Sequence, residues 1–108
     1  MRGMSSQGLL EQLKTSCERI ADCIEDRQPE AQITQALERT LAVCERSSAN
    51  EQPSDVKTLV TYLKTAVETW YKVWPRLGSQ AEFRLAVVRE ARVWSRRLID
   101  IEDVNGTP

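Results

Sequence analysis

The amino-acid sequence predicts an all-α fold, an up-down-up-down antiparallel four-helix bundle, and three observations carry that expectation. Apolar residues recur every three or four positions through four stretches of about twenty residues. Pro29, Pro53, Pro75 and Gly78 fall between these stretches, where a helix has to stop or start. The connections left over are short and polar, as in a bundle of sequential antiparallel neighbours. With 108 residues, 41% of them hydrophobic, the chain has room for one domain over 1–108 whose core needs neither disulfide nor metal.

The first helix is expected over 6–27, capped by Ser5 or Ser6, with Leu9, Leu13, Cys17, Ile20 and Ile24 as a narrow stripe. Pro29 suits the first turn of the second helix, 29–47, and Glu30 places a negative charge at its positive end. That helix carries Ile33, Leu37, Leu41 and Cys44 on one face and runs out into a polar linker, Ser47 to Gln52. Pro53, Ser54 and Asp55 open the third helix, 54–74, which has the widest apolar face: Val56, Leu59, Val60, Leu63, Val67, Trp70 and Trp74. Pro75 is expected to end it and Gly78 to turn the chain. Ser79 with Glu82 then reads as a capping box for the fourth helix, 79–101, whose stripe is Phe83, Val87, Ala91, Trp94, Leu98 and Ile101. The tail 102–108 is short, polar and expected to fray.

Antiparallel pairing across the two short turns keeps every layer apolar. Trp74 falls opposite Phe83, Leu63 opposite Trp94 and Leu59 opposite Leu98; in the other hairpin Ile24 meets Ile33 and Ile20 meets Leu37.

Charge and residue types exclude several functions. The formal net charge is −1, so no general basic excess draws the molecule to nucleic acid or an anionic membrane. The balance is uneven, −3 over residues 1–54 and +2 over 55–108, a pattern that suits complementary pairing within the bundle or between two copies of it. The chain has no histidine, which removes Ser-His and Cys-His nucleophile pairs and imidazole as base or metal ligand. Asp22, Glu25 and Asp26 cluster on the first helix, but a carboxylate-held metal needs a facing pair, and Glu68 and Glu90 stand alone. No catalytic, cofactor or metal residues are therefore assigned, and a carboxylate-metal enzyme is the least favoured reading.

Three cysteines, Cys17, Cys23 and Cys44, match no zinc or CxxC spacing and suit a reducing cytoplasm. Cys17 and Cys44 miss one another by about a helical turn in the bundle register and are read as small buried hydrophobes. Neither a signal peptide nor a membrane-spanning run is expected.

One surface stands out. Opposite the core stripe, the fourth helix carries Arg89, Arg92 and Arg96, with Leu85, Val88 and Ile99 among or beside them. Arginine interleaved with aliphatic residues suits protein interfaces, where the stems pack and the guanidiniums pair with carboxylates. Tyr71, beside Trp70 and Trp74, is expected to extend that surface. The reading is a small non-catalytic protein-binding, regulatory or adaptor module with a protein partner. The alternative is a phosphate- or nucleic-acid-binding module using the same arginines, although so small a patch disfavours nucleic acid. A homodimer burying Leu85, Val88 and Ile99 would supply cover that the thin first two helices do not.

Overall fold

The computed structural model describes residues 6–49 and 53–106, with side chains over 8–47 and 53–101. It is a bundle of four helices, α1 (Ser6–Glu25), α2 (Glu30–Ala49), α3 (Ser54–Leu77) and α4 (Ala81–Gly106), with no strand among the described residues. The long axis measures 44 Å and the others 22 and 21 Å. One contiguous core runs through it, with Leu13, Cys17, Ile20, Ile33, Leu37, Leu63, Val67, Trp74, Val87 and Leu98 sealed from solvent.

Side-chain bonds between helices fix their directions. Gln12 of α1 meets Arg46 of α2, Glu38 and Glu45 of α2 meet Tyr71 and Lys64 of α3, and Glu18 and Asp22 of α1 meet Ser95 and Arg92 of α4. In the α2–α3 and α1–α4 sets, residue numbers rise on one helix as they fall on the other, so these neighbours run antiparallel. The closest packing is α4 on α1, followed by α2 on α3 and α1 on α2, whereas α3 and α4 approach far less closely.

The last point revises the expected layers, which paired α3 with α4 along their length. The α1–α4 seam runs past Ala21, Ala91 and Ser95, whose small side chains let two backbones come together. Between α3 and α4 the core is filled by Trp70, Trp74 and Trp94, all buried, and bulk of that kind sets two helices apart. Trp74 and Phe83 do meet as expected, with ring centroids 5.5 Å apart and planes tilted by 57°.

Helix ends also depart from expectation. α1 stops at Glu25, two residues early, and closes with Arg27 N–H on the Ile24 carbonyl and Gln28 N–H on the Cys23 carbonyl. These paired bonds need a left-handed residue, and Arg27 supplies it with φ 56° where glycine is the common choice. Pro29 sits one position before α2 rather than inside its first turn, its carbonyl accepting from Gln32 and Ile33. α2 runs on to Ala49, two residues past its expected end. The expected cap at Ser5 lies outside the described residues.

α3 does not stop at Pro75. Proline's own φ is helical, and only one turn follows it, so the missing N–H costs a single bond while Gly78 N–H closes the end on the Trp74 carbonyl at 2.8 Å. Gly78 is helical in conformation, with φ −63°, so its value lies in space and not in turning freedom. A Cβ there would stand 2.5 Å from the Trp74 indole nitrogen. Arg84 locks this corner, donating to the Gly78 carbonyl at 2.6 Å with its guanidinium 5.6 Å from the Trp74 ring centre.

α4 begins at Ala81, which puts Gln80 in the cap position, its carbonyl accepting from Arg84. The expected capping box would have needed Ser79 there. At the other end the helix continues to Gly106 through most of the tail expected to fray. Carrying on the register of Ser95 with Glu18 and Arg92 with Asp22 lays those last turns beside the start of α1, which gives them a neighbour.

Candidate functional site

The outer face of α4 follows from which sides the helix gives to the core. At 100° per residue, Phe83 and Trp94 form one edge of its buried sector, and Val88 with Ser95 forms the other. Ser95 turns toward α1, its hydroxyl donating to Glu18 at 2.9 Å. Val88 is therefore core, 7% exposed, and not part of a surface as the sequence suggested. The sector is wider than the stripe alone implies because α4 packs so closely on α1.

Arg92 lies on the same side. Its guanidinium donates to Asp22 at 3.0 Å and to Glu25, straddling two carboxylates one turn apart on α1. Both bonds favour the charged guanidinium and push its pKa further up. Arg92 is thus a clasp between helices, and the acids considered as metal ligands, Asp22 and Glu25, grip an arginine. Among the described residues no group of three or more acidic or thiol side chains is placed to hold a metal ion.

Tyr71 also ties two helices together. Half-buried on α3, it donates from its hydroxyl to Glu38 of α2 at 2.6 Å, and this bond to a carboxylate raises the phenol's pKa. It does not join the α4 face. Ile99 is half-buried at the edge toward α1.

Along the solvent side of α4 runs a stripe of Leu85, Arg89, Val93 and Arg96, at spacings of four, four and three, with Glu82, Ala86, Glu90, Arg97 and Asp100 exposed around it. Leu85 is 52% exposed and Val93 51%, which makes them two of the three large hydrophobic residues so exposed among the described ones. Arg89 and Arg96 make no ion pair among the described residues. Beside the stripe, Arg97 lies with its guanidinium 5.1 Å from the Trp94 ring centre, and a shallow hollow of about 240 Å³ opens between Arg89, Glu90, Val93, Trp94 and Arg97. Val93 and Arg97 were not singled out from the sequence. The four-residue step from Leu85 through Arg89 to Val93 was the signal that could have found Val93.

The stripe offers apolar surface and guanidinium donors, which suit binding. Cys17 and Cys44 are buried thiols, pushed up to about 12, mainly by burial, so neither is a nucleophile at neutral pH. Cys23, half-buried, borders a hollow with Glu18, Arg19, Asp22 and Asp26. No helix among the described residues is long and apolar enough to cross a membrane.

Fold and face together define an all-α helical bundle with a mixed basic and aliphatic surface on its last helix. Compared with models of protein families, with curated proteins and with solved structures, the chain matches none.

Proposed function

We propose that this protein is a small non-catalytic binding module, regulatory or adaptor in kind, that acts in the cytoplasm by occupying or bridging a protein partner through the outer face of α4. The observation that carries the reading is the stripe itself. Leu85 and Val93 hold half their surface in water, two turns apart, with Arg89 between them and Arg96 beyond. Two exposed aliphatics flanked by arginines that make no ion pair among the described residues fit a surface that gains a partner's apolar side chains and carboxylates together. The buried thiols support a reducing compartment.

The test is sedimentation equilibrium and quantitative affinity capture with the wild-type chain and a Leu85→Asp, Val93→Asp variant. Both substituted positions lie outside the core, so the variant should fold, as far-UV circular dichroism would check. A folded variant that loses a partner held by the wild type, or loses self-association, supports the face as the binding surface. A variant that keeps every wild-type association removes the face from consideration. Capture that vanishes with modest salt and is competed by inorganic phosphate would favour the phosphate-binding alternative instead.

A further inference from the structure

A second surface lies on a different pair of helices. A hollow of about 410 Å³ runs along the seam between α1 and α2, and its lining divides by chemistry. The floor is made of short side chains: Ser16 from α1, Ala36 and Val43 from α2. Three arginines stand at its rims, Arg19 from α1 and Arg39 and Arg46 from α2.

These arginines are arranged, not scattered. Arg46 donates to the Gln12 amide oxygen across the seam at 3.0 Å, which holds its guanidinium over the groove. The antiparallel register from that bond places Arg19 level with Arg39. Arg39 and Arg46 are seven residues apart, so they share one side of α2 at an axial separation of about 10 Å. The acid in the lining, Glu11, is already paired with Lys14 at 2.8 Å. Arg19 and Arg39 make no ion pair among the described residues. The acidic half of the chain thus carries a basic groove, because its Asp22 and Glu25 face α4 and its Glu38 and Glu45 face α3.

Charge and shape choose the occupant. A floor of small residues leaves room for aliphatic side chains arriving from outside, and the rims offer guanidiniums to carboxylates on either side. The positive charges are spread over two turns and do not converge on one point, so a row of carboxylates fits better than a single phosphate. We propose that the α1–α2 groove is a second docking site and that it takes an acidic amphipathic helix of another protein, with carboxylates two turns apart and aliphatic residues between them. The site shares no residue with the α4 stripe. A chain using both would bridge two partners.

The experiment is selection from a displayed library of random helical peptides against the full chain at low salt. The enriched peptides are expected to carry Glu or Asp two turns apart around an aliphatic centre. Arg19→Glu and Arg39→Glu, checked for wild-type helicity, should each weaken the selected peptides by about ten-fold or more. Arg39→Gln gives a milder second measure should charge reversal disturb the fold. The Leu85→Asp, Val93→Asp variant should bind them as the wild type does, which separates failure here from failure of the α4 reading. Enriched peptides without acidic bias, or affinities that ignore Arg19 and Arg39, would overturn the proposal. So would displacement of the peptides by a single-stranded DNA oligonucleotide at lower concentration, since the groove would then be reading phosphates.

Discussion

The two seams along α4 fill the same core with opposite materials. Toward α1 the helix presents Ala91 and Ser95, comes close, and is fastened at the rim by Glu18–Ser95 and by Arg92 on Asp22 and Glu25. Toward α3 it presents Phe83 against Trp74, with Trp70 and Trp94 also buried in the core, and the backbones stay apart. Small residues with polar clasps give proximity and register; large aromatics give buried area. The first seam fails when something is added to it, and the second when something is taken away.

The largest effect should come from removing aromatic bulk. Trp74→Ala takes out a side chain that is 1% exposed and touches both Phe83 and the Arg84 guanidinium, so unfolding in denaturant should show a loss of about 3–5 kcal/mol. An unchanged midpoint would mean that the α3–α4 seam is not part of the cooperative core. Ala91→Leu tests the opposite weakness, since an enlarged residue in the tight seam should cost about 1–3 kcal/mol through strain. The same enlargement absorbed without loss would show that the α1–α4 seam has slack.

The smallest effect belongs to the clasp. Arg92 is 43% exposed and its two acids more so, and exposed ion pairs contribute about 0–1 kcal/mol. Arg92→Ala should therefore change stability little, and a double-mutant cycle with Asp22→Ala should show a coupling that fades as salt rises. A coupling well above that range would make the clasp a principal fastening of the bundle.

The sequence announces the fold more clearly than the face. Helical spacing of Leu13, Cys17, Ile20, Leu63, Val67 and Trp70 is a local pattern, and burial follows it closely. Which helices become neighbours is not local. Close packing of α4 on α1 moved Val88 into the core and engaged Arg92, and neither outcome is visible on a helical wheel of α4 alone. Helix ends failed for a related reason: Pro75 and Gly78 read as breakers, yet one turn of helix survives because Gly78 leaves room for the Trp74 indole. The basic groove on α1 and α2 was hidden by averaging, since that half of the chain is acidic in sum and only its packing sorts the charges by side.

Placing every tryptophan on α3 and α4 gives the molecule a built-in optical label. Trp70, Trp74 and Trp94 are 6%, 1% and 8% exposed, and the Trp74 indole nitrogen has no hydrogen-bond partner among the described residues. Their emission should be blue-shifted in the native state and should report on that half of the molecule. The cysteines on α1 and α2 offer alkylating reagents an independent readout of the other half. A perturbation that loosens one hairpin before the other would separate the two signals in time, without any engineered label.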